Sequence, residues 1–196
     1  RTIGTPGNSG ETWYSLLVAL STAGLGQDDV TIQEIGYTQQ AALASGKVDA
    51  VVGYSNNDAV QLAQNGTAVR TLAIGENVPL VGASLITSSD ALSTRRDELA
   101  EVVAASDTGM TSFIDDPDAA VEATEEYVPD LADTTQAAHA REVAVATGDL
   151  VRGDGTRDIG SVRVEDIAPM IDFLSSHGLL GEEEVRDSDV CVPLGQ

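Results

Sequence analysis

The chain has 196 residues, with 32 acidic against 10 basic side chains and a formal net charge of −22, long enough for one large domain or two small lobes. Hydrophobic residues make up 42% of it and aromatics 4%, with the apolar share mostly Ala, Val and Leu, which suits α/β layers better than a β-sandwich. The few cationic residues build no phosphate-binding surface, which argues against nucleic acid; the single cysteine, Cys191, leaves no internal disulfide or cysteine-based metal site; and with no apolar run of 18 residues no transmembrane helix is expected.

Thr2–Gly4 reads as a short strand, followed by a glycine-rich loop, TPGNSGE, over Thr5–Glu11. Helical spacing of Trp13, Leu16, Leu17 and Leu20 predicts a helix over Thr12–Ala23 that Gly24 stops. Alternation predicts a strand at Val30–Ile35. A short helix is expected at Thr38–Ser45, ending at Gly46, and a buried parallel-type strand at Val48–Gly53. A helix over Asn56–Gln64, stopped by Gly66, and a strand over Val69–Ile74 complete a β-α-β-α-β-α-β series, the signature of a mainly parallel sheet covered by helices. Val78–Thr87 (VPLVGASLIT) reads as a long apolar strand. Beyond it the pattern is helical. One helix is capped by Ser89 or Asp90 and runs to about Asp115. A second starts at Asp116-Pro117 and runs to about Tyr127, a third covers Thr134–Thr147, and a fourth covers Val164–His177, closed by Gly178. The tail after Gly181 is acidic. Arg1–Gly4 reads as a fold already in progress with no signal peptide before it, so the chain is expected to be a fragment whose N-terminus lies upstream.

Only one basic residue is lysine, Lys47. Self-repulsion at this net charge is relieved in molar salt, where the Debye length falls to about 3 Å, so a halophilic source is expected; an ordinary acidic protein with a basic partner is the other reading.

In open α/β sheets ligands sit at the carboxyl ends of the strands, and two loops of unusual composition fall there. In the first, Gly4, Gly7 and Gly10 are three apart, with Asn8, Ser9, Glu11 and Thr12 between or after them. It leads into a helix, whose first N–H groups bind an anion or a carbonyl. It lacks the GK[ST] ending of a phosphate-binding P-loop. Glu11 reads either as a helix-dipole carboxylate or as an acceptor for a ligand amino group, and the whole loop reads equally as a well-capped helix start. The second loop, GYSNND over Gly53–Asp58, puts Tyr54 after an apolar strand, where its ring can stack on a heterocycle, with Asn56 and Asn57 as donors and acceptors. Its other reading has Asn56 or Asn57 capping the next helix while Tyr54 packs. Of Trp13 and Tyr14, adjacent on one helix, one belongs to the core and the other can reach the cleft; Tyr37 stands near the same rim. Tyr127, His139, Arg141 and His177 read as helix-face residues, and Asn65-Gly66-Thr67 is a glycosylation sequon.

GTPGNSGETWYSLLVAL, then DDVTIQEIGYTQQAALASGKVDAVVGYSNNDAVQLAQNG, resembles the NMT1/THI5-like family of periplasmic binding proteins, within it the components that bind thiamine-pyrimidine precursors or riboflavin-like compounds. The resemblance runs over roughly residues 1–180, and ALASGKVDAVVGYSNNDAVQL is its most specific part. It implies an α/β fold of type II periplasmic-binding-protein architecture, two lobes joined by crossing strands. Residues 1–76 would form the ligand-binding α/β lobe, 77–87 a hinge or crossing strand, and 88–196 the helix-rich C-terminal part of the other lobe with its acidic tail. The family's N-terminal half, with its signal peptide or lipid anchor, has no counterpart here. The implied function is the solute-binding component of an ABC importer that closes on a small nitrogen heterocycle, outside the cytoplasm, as a monomer docking on a permease. No cofactor, metal or catalytic residue is expected, and any membrane contact would come through the N-terminal anchor. The family pocket maps onto Asn8, Ser9, Gly10, Glu11, Tyr14, Tyr54 and Asn56; Thr12 and Asn57 join them from the same loops. Some members of the superfamily are pyrimidine-precursor synthases with a cysteine-rich motif and a reactive histidine. One cysteine in the tail and one lysine in a helix-to-strand turn do not match that chemistry. The alternatives are such a synthase or the ligand-sensing domain of a signalling protein.

Overall fold

The computed structural model describes residues 1–74, 81–181, 185–192 and 194. The fold is mixed α/β, with a small parallel sheet and many helices. It divides into two compact units that interleave along the chain: Arg1–Val78 with Asp116–Val151, and Pro79–Asp115 with Arg152–Gln196.

The first unit carries the sheet. Strand β1 (Thr2–Thr5) leads to helix α1 (Gly10–Thr22), β2 (Thr31–Glu34), α2 (Gln39–Ala44), β3 (Ala50–Val51) and α3 (Asp58–Gln64). The order is β2-β1-β3, with both pairings parallel. Ile3 lies beside Ile32 and Ala50, and Gly4 beside Gln33 and Val51, so the pleat sends Ile3 and Gly4 to opposite faces. On the Ile3 face Leu16, Leu20 and Val52 form a buried cluster, joined by Trp13, Val30 and Ile32. On the Gly4 face Ile35, Ala42 and Val48 form another, joined by Val51. Gly4 has no room for a side chain there: a Cβ would stand 2.7 Å from Ile35 Cδ1. Helices α1 and α2 thus cover opposite faces, as right-handed crossovers to strands on either side of β1 require. Helix α3 packs beside α2. It ends in a Schellman turn, in which Gly66 N–H donates to Ala63 O at 3.0 Å and Thr67 N–H to Leu62 O at 2.9 Å, with Gly66 at φ +71°. Helices α6 (Pro117–Glu125) and α7 (Thr134–Arg152) complete this unit. Asp116 caps α6 by accepting from Ala119 N–H at 3.0 Å, and Gln64 reaches Glu142 on α7 at 2.8 Å.

The second unit holds α4 (Ser89–Thr94), α5 (Arg96–Asp115), α8 (Ile167–Ser176) and α9 (Asp187–Val190). The single helix expected from Ser89 to Asp115 is split at Arg95, and its cap is Ser88, which accepts from Ala91 N–H. The Ser93 and Thr94 hydroxyls both bond the Asp90 carbonyl, competing with the backbone for it just before the break.

Two expected strands are not formed among the described residues. Val69–Ile74 and the described part of the apolar run, 81–87, are without regular structure; Val78–Leu80 lie outside the described residues. Leu72, Leu85 and Ile86 are exposed, Ile86 to 97%. An apolar run becomes a strand only beside another strand, and among the described residues neither run pairs with the free edge of β2 or of β3.

Candidate functional site

Each strand ends in a loop at the same edge of the sheet. The loop after β1 leaves toward α1 on one face; those after β2 and β3 lead to α2 and α3, packed together on the other. The chain therefore parts on both sides of the α1 N-terminus, the arrangement that opens a crevice at the carboxyl ends of parallel strands.

Thr5 is fully buried, and its hydroxyl donates to Gly7 O at 3.0 Å, which folds the first loop back on itself. Asn8, Ser9, Gly10 and Glu11 then stand exposed, while Thr12 is buried and Tyr14 half-buried. Ser9 occupies the N-cap position in an extended conformation, φ −153° and ψ 166°, but its side chain makes no capping bond, so the first turn of α1 is not closed by its own cap. Gly10 opens the helix at φ +79°, a conformation L side chains rarely adopt. Trp13 is the core member of the Trp13–Tyr14 pair.

The second loop is built around a residue that sequence reading passed over. Asp58, the first residue of α3, is only 7% exposed. Its Oδ2 accepts from Tyr54 N–H at 2.9 Å and its Oδ1 from Gln40 Nε2 at 3.3 Å. Asp58 N–H donates in return to Tyr54 O at 2.8 Å, which closes a ring around residues 54–58. The carboxylate lies over Gly53, where a Cβ would stand 2.4 Å from Oδ2. An aspartate at a helix start ordinarily signals a dipole partner; the Gly five residues before it was the available clue.

So positioned, the Tyr54 hydroxyl donates to Glu11 Oε2 at 3.3 Å, joining the second loop to the head of α1. On the other side of that head, Asn8 Nδ2 donates to Glu34 Oε1 at the end of β2. Burial, then the Glu11 carboxylate, push the Tyr54 phenol above its ordinary value of 10.0, with Tyr37 and Asp58 adding to the effect. Tyr37 follows β2 and is 93% exposed. Asn56 and Asn57 are turned elsewhere. Asn56 Nδ2 donates to the Thr147 hydroxyl on α7 at 2.9 Å, and Asn57, at the N-cap position of α3, accepts from Gln61 without capping the helix.

Residues 5–12, 34–40 and 52–58 contain three carboxylates, Glu11, Glu34 and Asp58, and no Lys, Arg or His. The edge therefore offers acceptors and an aromatic ring beside the N–H groups of one helix start. Such a set can accept N–H groups at its carboxylates and donate to a carbonyl at the helix start, and its negative charge disfavours an anion.

Riboflavin-binding protein RibY of Chloroflexus aurantiacus is 39% identical over 131 residues, covering 66% of this chain and 37% of that protein. The match thus spans well under half the length of that relative. The family model described as NMT1/THI5 like matches residues 1–120, which include both loops, the sheet and α1 to α3. The chain belongs to the NMT1/THI5-like family.

Proposed function

We propose that this polypeptide forms the ligand-gripping surface of an extracytoplasmic solute-binding protein that hands a small, neutral nitrogen heterocycle to the permease of an ABC importer. The observation that carries the reading is the meeting of Tyr54, Glu11 and the uncapped start of α1 at the carboxyl edge of the sheet, with no cation among the three loops. In this reading Tyr54 stacks on the ring, Glu11 accepts a ring N–H, and the first N–H groups of α1, between Ser9 and Thr12, receive a ring carbonyl. Asn8 and Tyr14 border the ring. Asn56 and Asn57 shape the second loop from behind and enter only by giving up Thr147 and Gln61. An isoalloxazine has one imide N–H between two carbonyls, which matches one acceptor beside a row of donors; likeness to a riboflavin-binding protein points the same way. Residues 1–76 would be the ligand lobe of a type II binding protein and 77–87 a crossing segment; of 88–196, expected in the other lobe, 116–151 instead group with residues 1–78.

A binding role rather than catalysis is supported by Lys47. The only lysine sits exposed before β3, at the sheet edge opposite the loops, too far round for Schiff-base chemistry there. The charge of −22 supports a high-salt habitat.

The test is a riboflavin titration of the full-length protein in molar salt, followed by quenching of flavin fluorescence, with hydroxymethylpyrimidine and formylaminopyrimidine screened by thermal shift. Saturable quenching that weakens at least about tenfold in Tyr54→Ala, a change of about 1.4 kcal/mol, is the expected result. A folded protein that responds to none of these ligands would exclude the heterocycle reading.

A further inference from the structure

We propose that Asp58 is the positioning residue of this site: its buried carboxylate fixes the loop that carries Tyr54, and so sets where the phenol stands relative to Glu11. The part of the inference that concerns ligand affinity rests on the reading that Tyr54 meets the ligand; the part that concerns the loop does not.

Burying a carboxylate is costly unless its oxygens are satisfied. Asp58 forms no ion pair among the described residues; its two oxygens are taken by one backbone N–H, that of Tyr54, and one side-chain amide, that of Gln40. A side chain serving only the start of α3 would turn forward to the first helical N–H groups. This one turns back four residues, to the residue whose ring faces Glu11. Gly53 is the matching half of the device. Its φ is not in the left-handed region, so glycine is required there by space: Oδ2, Cγ and Cβ of Asp58 would lie 2.4, 2.9 and 3.2 Å from a Cβ at position 53. Gln40, from α2, ties the same carboxylate to the helix behind it. The ring of Tyr54 thus stands at the end of a chain of contacts from Gln40 through Asp58 to the Tyr54 backbone, and its hydroxyl reaches Glu11 at 3.3 Å.

The experiment compares Asp58→Ala with Asp58→Asn in the full-length protein. Asparagine keeps an acceptor for the Tyr54 N–H, and its amide meets a reversed Gln40 amide; alanine keeps neither. Both remove the charge. The first readout needs no ligand: the phenol titration of Tyr54 by carbon NMR of tyrosine-labelled protein, assigned with Tyr54→Phe. In wild type, burial and the Glu11 carboxylate should hold it above the ordinary tyrosine value. Asp58→Asn should stay near wild type, and Asp58→Ala should fall back towards the ordinary value as the phenol leaves Glu11. Equal movement in both variants would mean that the carboxylate acts through its charge alone and would overturn the proposal, as would no movement in either. The second readout is riboflavin affinity. Asp58→Ala should weaken it about tenfold and Asp58→Asn less than threefold, while in a Tyr54→Ala background Asp58→Ala should add less than twofold. Additive losses would overturn positioning through Tyr54. If the alanine variant does not fold, Asp58→Ser, with one short hydroxyl in place of two oxygens, takes its place in both readouts. If wild type binds no riboflavin, the ligand reading falls and the titration still decides the role of Asp58.

Discussion

The loops after β1 and β3 deliver polar groups to the same edge of the sheet by opposite means. The first is shaped by its backbone: the Thr5 hydroxyl folds it at Gly7, and Gly10 turns it into α1 at φ +79°. Its side chains, Asn8, Ser9 and Glu11, are left at the surface. The second is shaped by one buried side chain, Asp58, which grips the Tyr54 backbone and leaves no room at Gly53. A loop shaped by glycine keeps its polar side chains for other partners; a loop shaped by a buried carboxylate keeps its geometry when partners come and go.

This contrast is broken most severely by Gly53→Ala. The new methyl displaces the Asp58 carboxylate, and a loss of about 2–3 kcal/mol of stability is expected from overpacking and the disrupted hydrogen bonds, measured by urea unfolding. In an Asp58→Ala background most of that loss should disappear; an unchanged loss would place the strain elsewhere. Next is Gly10→Ala, where the cost is backbone strain rather than collision, since nothing lies within 4 Å of a Cβ there. About 1 kcal/mol is expected, and it should be the same with Asp58 present or removed. Tyr54→Phe should cost under about 1 kcal/mol near neutrality, the worth of one exposed hydrogen bond, and the cost should shrink in alkali. The folded-state phenol titrates above the unfolded value, so the contribution of its proton is complete below pH 10.0 and is lost as pH rises through the folded value. The phenylalanine variant should therefore lose less stability than wild type between neutrality and strong alkali; equal loss would show that the phenol does not contribute. The smallest effect belongs to Ser9→Ala. A capping serine is worth about 1 kcal/mol, but Ser9 makes no capping bond, so a change within about 0.5 kcal/mol is expected.

The sheet-bearing core was legible because its signals are local. Alternation at Val30–Ile35 and helical spacing of Trp13, Leu16 and Leu20 each specify both an element and its buried face, and β2, α1 and the Leu16 cluster follow. The runs at 69–74 and 81–87 carry an equally apolar signal, but a strand also needs a neighbour, which local sequence does not supply. At the site, Glu11 and Tyr54 were readable from loop position, and they meet. Asn56 was equally readable as a polar loop residue, yet its partner is Thr147, 91 positions away. Asp58 was hidden for a similar reason: whether a carboxylate at a helix start looks forward or back depends on burial by α2, which only the folded chain provides.

The carboxylates flanking α1 already have donors, the Tyr54 hydroxyl on Glu11 and the Asn8 amide on Glu34. A carboxylate accepts at two oxygens, so in the proposed site an N–H approaching Glu11 either adds to the Tyr54 bond or replaces it; only in replacement is the net gain the difference between two similar hydrogen bonds. Molecules without a donor at that position meet an occupied acceptor and gain nothing from it. Where such a donor displaces the Tyr54 hydroxyl, the proposed site would free the ring to lie on the face of the molecule that displaced it.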